Sequence, residues 1–356
     1  MLNIANEGLQ YISAGTRHAI SSTPTTKSWP LPRRTHSSST KSSATTSLPI
    51  SDIPVPKPGD GQVLIKIIAT SLNPVDWKIK THGLFLEKYP AILGTDLAGV
   101  VEEVGQGVDE WKHGDRVYIQ GQFENDFSSF QQYALALAST LARIPDNVSF
   151  DEAATVPVVL TCAFTGLYQK ALYGLGLTPP FSPDTRGIYN GTPIVVIGGA
   201  SSVGQAVIQL ARISGLSPII TTASLTNADY LKSLGATHVF DRNISPAALQ
   251  SEISTITQAP LKYVYDATSL PATQTLGLSI LAEGGQLAIV LPLEVALPEG
   301  REARHVVGIL RLPHQIEFTQ TLYHDTIMPL LEKGLFKAHS FCLIVLLLWP
   351  RSNRLH

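Results

Sequence analysis

The chain has 356 residues, 44% of them hydrophobic and 15% charged, with a formal net charge of −2. That length can bury the core of two medium domains, and the near-zero charge, with Lys and Arg scattered, excludes a field that gathers nucleic acid or acidic lipid. Two cysteines, Cys162 and Cys342, are too few for a disulfide framework or a four-thiolate zinc site and fit a reducing compartment.

The opening fifty residues hold 18 Ser and Thr, five Lys and Arg and a single acid, Glu7. This composition reads as a disordered tail, a mitochondrial targeting segment or a mis-spliced piece of gene, so residues 1–50 are set apart from the fold. A cytoplasmic location is expected, with a mitochondrial one as the alternative. Order is expected from Asp52 onward. In DIPVPKPGDGQVLIKIIATSLNPVDWKIKTHG, Val63, Ile65 and Ile67 alternate with Leu64, Lys66 and Ile68 as in a mostly buried strand, and Asn73-Pro74 reads as a turn. Gly94, Gly99, Gly105, Gly107 and Gly114 then punctuate short Val-rich segments, an all-β pattern.

At Asp151 the pattern turns helical, with Ser149 as N-cap and Glu152 at capping-box spacing, and a Gly/Pro-rich loop follows. From Thr192 the segments PIVVIG, SPIITTA, HVFD, LKYVYDAT and GGQLAIVLP alternate with helical stretches, which predicts a parallel, doubly wound α/β sheet. The longest apolar run, Phe341 to Trp349, is nine residues, well short of the roughly 20 that cross a bilayer as a helix. No membrane partner is expected.

The stretch TPIVVIGGASSVGQAVIQLAR carries the chemistry. A dinucleotide fold ends its first strand in G-x-G-x-x-G; here Gly198 and Gly204 stand as the first and third glycines, and Ser201 takes the middle place. Serine is small, and phosphate is held chiefly by backbone N–H groups at the helix start, here those of Ser202 and Val203, so the loop can serve. A purely structural strand-to-helix turn is the alternative. An NAD enzyme places an acid about 20 residues further on, against the ribose. TTASLTNADYLKSLGA instead offers Thr222, Ser224, Asn227 and Lys232 around its one acid, Asp229. Hydroxyls, an amide and a lysine suit a 2′-phosphate and so NADPH, unless Ser224, Thr226 or Asn227 merely caps the following helix.

NPVDWKIKTHG, PAILGTDLAGVVEEVGQGVDEWKHGDRVY, GGASSVGQAVIQLA and SLGATHVFD together resemble the medium-chain dehydrogenase/reductase superfamily. The likeness is to its zinc-independent quinone and enoyl reductase branch, and most to fungal trans-acting enoyl reductases of polyketide clusters. It implies a GroES-like β-barrel domain (residues 51–155), a Rossmann domain (156–337), a return of the chain to the first domain, and a cofactor in the cleft between them. It also implies hydride transfer from NADPH to an activated double bond: an enoyl thioester, an enone or a quinone, small or carried as an acyl group. A monomer or a homodimer is implied, and no metal, with His82, His113 and His238 scattered.

By the same resemblance Asn73, Asp76 and Lys78 line the cleft and Thr161 lies on the nicotinamide side. Asp241 falls near the adenine edge, and Asp266, Thr268, Val290 and Leu291 fall at the carboxyl edge of the sheet. Two other readings stand beside this one: a non-catalytic NADPH-binding protein, and a mitochondrial enoyl-thioester reductase. Both ends depart from the family pattern. RRTHSSSTKSSATTSLPIS reads as unpatterned where relatives start with a strand and hairpin, and AHSFCLIVLLLWPRSNRLH, at 338–356, resembles read-through. These departures predict a weakened or inactive product with exposed strand edges.

Overall fold

The structure, a computed structural model, describes residues 33–39 (backbone only), 50–86, 88–170 and 172–338. The expectations for the first fifty residues other than 33–39 and Ile50, and for the tail from 339 on, lie outside the described residues. Fourteen strands are described, and the chain divides into two compact units. The first holds the described residues up to 157 together with 311–324; the second holds 158–310 together with 325–338.

In the first unit β1 (Arg33–Ser39) pairs antiparallel with β2 (Ile50–Pro54) and with β4 (Ala91–Ile92). The stretch that reads as unpatterned therefore contains a strand, which hydrophobic alternation cannot reveal because its sequence, RRTHSSS, is polar throughout. The main sheet has the order β7-β3-β5-β6-β8, all antiparallel. Its members are β3 (Gln62–Ser71), β5 (Asp96–Val104), β6 (Arg116–Gln120), β7 (Tyr133–Leu137) and β8 (Ala142–Arg143). Val63, Ile65 and Ile67 are fully buried, and on the other face Leu64 is buried, Lys66 half-buried and Ile68 42% exposed, so β3 is a mostly buried strand.

The Asn73-Pro74 turn proves to be the start of a helix, Pro74–His82. Proline fits the first helical position because its missing N–H would be unpaired there, and the helix ends at Gly83 with φ 64°. The helix expected after Ser149 is two: Phe150–Ala154 and Pro157–Tyr168. Pro157 disfavours helical backbone at Val156 and divides them. The Ser149–Glu152 capping box forms, with the Glu152 N–H donating to Ser149 Oγ (3.2 Å) and the Ser149 N–H to the Glu152 carboxylate (2.9 Å).

The second unit is a six-stranded parallel sheet of order β11-β10-β9-β12-β13-β14. The strands are β9 (Ile194–Ile197), β10 (Ile219–Ala223), β11 (His238–Asp241), β12 (Tyr263–Asp266), β13 (Gly285–Ile289) and β14 (Arg301–His305). All but β14 fall where the sequence predicts; REARH is too polar to signal a strand. Chain order reverses between β9 and β12, and Thr222, Ile197 and Asp266 lie in register at the carboxyl edge. An open α/β sheet binds ligands at such a crevice. Val195, Ile197, Val264, Leu276 and Leu287 are among the core residues behind it.

Candidate functional site

The loop after β9 is built on its glycines. Gly198 has φ +76°, and a Cβ there would overlap Thr268 Oγ1; a Cβ on Gly204 would overlap the Gly198 carbonyl oxygen. Helix Ser202–Ser214 thus lies close against the turn it leaves. Ser201 is its N-cap: its hydroxyl accepts from the Gly204 N–H (3.1 Å) and donates to the Gly198 carbonyl (2.8 Å). That hydroxyl is occupied within the loop, so the groups aimed outward are the first-turn amides of exposed Ser202 and half-buried Val203. Backbone N–H groups at a helix start suit an anion.

At the end of β10, Thr222 is buried and holds the loop rather than facing outward, its hydroxyl and carbonyl both taking the Gly198 N–H (3.3 and 3.1 Å). Ser224 is half-buried, with its Oγ 2.9 Å from Thr226 Oγ1. Asn227 precedes helix Ala228–Leu234 without a side-chain cap bond, and Lys232 is exposed in that helix's last turn. Asp241, the last residue of β11, accepts from the Asn243 N–H (2.8 Å) and so shapes the turn that follows.

Asp266 is fully buried, and its Oδ1 accepts from the N–H groups of Thr268 (2.9 Å) and Ser269 (2.8 Å). Burial raises its pKa, opposed by these bonds. It organises the turn after β12. Ser269, at φ +56°, accepts the Val290 N–H on its Oγ (2.8 Å), and half-buried Val290 and Leu291 begin the segment after β13. Four residues absent from the sequence reading matter here and below: Gln205, Ser269, Gln274 and Asp96. Gln205 accepts from Tyr230 Oη (3.0 Å) and donates to the Ala200 carbonyl (2.9 Å). A polar residue on the buried face of an apolar helix is the signal for both glutamines.

In the first unit Asn73, Asp76 and Asp96 form one buried cluster. The Asn73 side-chain amide donates to Asp96 Oδ2 (2.9 Å) and Thr95 Oγ1 (3.2 Å), and its backbone N–H donates to Asp76 Oδ2 (2.7 Å). Ser71 Oγ also donates to Asp96 Oδ2 (2.9 Å). Burial pushes the Asp76 carboxyl up to about 6, held back by the Asn73 and Gly94 amides, and its Oδ1 accepts no hydrogen bond of ordinary geometry. Lys78 is half-buried with its Nζ 5.9 Å from the centre of the exposed Trp77 ring. In the second unit Thr161 is fully buried within helix Pro157–Tyr168, and its carbonyl accepts from Thr165 Oγ1 (2.6 Å). Among the described residues no group of three or more His, Cys, Asp or Glu side chains could hold a metal, and no helix is long and apolar enough to cross a membrane.

An antiparallel β unit together with a doubly wound unit that carries a glycine loop at its switch point defines a nucleotide-binding oxidoreductase architecture. Residues 59–158 match the family model described as alcohol dehydrogenase GroES-like domain, and 202–300 match zinc-binding dehydrogenase. The trans-enoyl reductase TOXD of Cochliobolus carbonum is 36% identical over 253 residues, covering 69% of this chain and 80% of that protein. The dehydrogenase pigH of Monascus ruber is 39% identical over 204 residues, a match spanning 54% of each, so the chain spans about half the length of that relative. The crystal structure of Escherichia coli quinone oxidoreductase complexed with NADPH matches with a TM-score of 0.67 at 20% identity, over 85% of this chain and 89% of that one, a likeness of fold alone. The chain belongs to the medium-chain dehydrogenase/reductase superfamily of oxidoreductases.

Proposed function

We propose that the chain is an NADPH-dependent, zinc-independent reductase that adds a hydride to an activated double bond of an enoyl thioester, an enone or a quinone. The observation that carries this is the pairing of two features at one sheet edge: the outward amides of Ser202 and Val203, and a β10 end whose half-buried group is Ser224 rather than an acid. The loop fits a pyrophosphate because Gly198 and Gly204 leave no Cβ in the way of the turn. Ser224, Thr226 and Asn227 offer hydrogen-bonding groups to a 2′-phosphate, where a carboxylate would repel it.

The cofactor, when bound, supplies the hydride that reaches the electron-poor carbon. A proton must reach the neighbouring carbon, and Asp76, whose burial lifts its carboxyl to about 6, is a group able to hold one near neutrality while the Asn73 backbone N–H anchors its Oδ2. The similarity to a trans-enoyl reductase, and in fold to a quinone oxidoreductase complexed with NADPH, supports this choice of acceptor and cofactor.

The test is a fluorescence titration with NADPH and NADH, followed by turnover with enoyl thioesters and quinones in the presence and absence of a chelator. NADPH should bind about tenfold or more tighter than NADH, and turnover should not respond to the chelator. Equal affinity, or none, overturns the cofactor assignment; binding of NADPH without turnover on any acceptor points to a non-catalytic binding protein.

A further inference from the structure

We infer that Ser269 and Gln274 are positioning residues that set the segment after β13 against the glycine loop, and that they govern the nicotinamide half of the dinucleotide rather than its adenosine half. The inference rests on the cofactor reading above. Gln274 is fully buried in helix Pro271–Ile280, and its side chain makes three hydrogen bonds to backbone outside that helix. Its Nε2 donates to the Ser269 carbonyl (3.0 Å) and the Pro292 carbonyl (2.8 Å), and its Oε1 accepts from the Glu294 N–H (2.9 Å). An apolar side chain would fill this space without the cost of desolvating an amide.

Ser269 is equally committed. A non-glycine residue at φ +56° holds strained backbone, and glycine would relieve that strain. The hydroxyl is what glycine lacks: it donates to the Asp266 carbonyl (2.7 Å) and accepts from the Val290 N–H (2.8 Å). One residue earlier, Thr268 packs so closely on Gly198 that a Cβ there would overlap its hydroxyl. The brace therefore runs from the glycine loop, through the turn 266–270, to residues 290–294. A dinucleotide that sets its pyrophosphate at Gly198 and its adenosine beside β10 extends its other half over β12 and β13. The brace holds that side.

The experiment compares wild type with Ser269→Ala, Ser269→Gly and Gln274→Met; the glycine variant relieves the positive φ and guards against a chain that fails to fold. Adenosine 2′,5′-bisphosphate probes the adenosine half alone, and NADPH probes the whole. The variants should bind the bisphosphate within about twofold of wild type, lose about tenfold for NADPH, and lose kcat more than KM for the acceptor. Without any ligand, amide exchange should quicken at Val290 in the Ser269 variants and at Glu294 in Gln274→Met. Equal loss for both ligands, or unchanged exchange at those amides, overturns the inference and leaves the cofactor reading standing. Wild type that binds neither ligand overturns both.

Discussion

The glycine loop of the second unit and the Asn73 corner of the first unit solve the same problem, holding a polar turn at the edge of a sheet, in opposite ways. The loop relies mainly on short-range geometry: the Ser201 hydroxyl joins the Gly198 carbonyl to the Gly204 N–H within seven residues, Thr222 of β10 takes the Gly198 N–H, and the outward groups are uncharged amides. The corner uses long-range contacts, from Asn73 to Thr95 and Asp96 and from Thr70 to Ser129, and it buries two carboxyl groups. Local geometry leaves the loop free to bind a ligand without a buried charge, whereas the corner carries a group whose charge depends on pH.

The sharpest way to break the local solution is Gly204→Val. The added atoms must displace either the Gly198 carbonyl or the helix, so NADPH binding should weaken by about 100-fold or more and the melting temperature should fall by several degrees. A titration and a thermal melt check this. A variant that binds normally would show that close helix packing is not what forms the site.

The corner is tested by Asp76→Asn, read as stability against pH. The native carboxyl titrates at about 6 and the unfolded one near 3.8, so between those values the folded protein keeps a proton that the unfolded chain releases. Stability relative to the asparagine variant should therefore be highest at acid pH and decline by roughly 2–3 kcal/mol as pH rises through that window, then level off. Urea unfolding of both proteins from pH 4 to 7 measures the difference; a difference independent of pH would mean that Asp76 is better solvated than its burial implies.

The contrast also explains what the sequence discloses. β9 to β13 and the helices between them read directly, because buried parallel strands are apolar runs and helix Ser202–Ser214 opens with its own cap and glycines. Strands β1 and β14 do not read, since backbone pairing forms them and their side chains carry no apolar alternation. Helix Pro74–His82 is hidden behind an Asn-Pro pair that marks a turn and a helix start equally well. The site follows the same division. Gly198, Ser201 and Gly204 announce themselves by spacing, whereas Asp96, Ser269 and Gln274 gain meaning only from partners brought to them by the fold. Thr222 and Asp266, placed by sequence position at the cofactor, turn the Thr222 hydroxyl and the Asp266 Oδ1 to backbone N–H groups of the turns after β9 and β12.

Ser224→Glu carries a smaller effect confined to the second unit. Ser224 is half-buried at the β10 end with its hydroxyl paired only to Thr226 among the described bonds, so the change adds a charge without removing a structural contact of weight. NADPH affinity should fall about tenfold while NADH affinity holds or rises, as expected for a carboxylate set against a 2′-phosphate. Parallel titrations with both nucleotides decide it, and an equal loss for the two would remove Ser224 from the ribose site.

The smallest effect separates structure from binding within the loop itself. Ser201 occupies the position of the middle glycine, and a hydroxyl there could serve either the ligand or the helix. Its two bonds, to the Gly204 N–H and the Gly198 carbonyl, commit it to the helix. Ser201→Ala removes the cap and should cost about 1 kcal/mol of stability, and Ser201→Gly only a few tenths. Both should bind NADPH within about twofold of wild type, because the amides of Ser202 and Val203 are unchanged. A loss of affinity larger than the loss of stability would show that the hydroxyl turns to the phosphate when the nucleotide arrives, and would make the serine a ligand contact instead of a tolerated replacement for glycine.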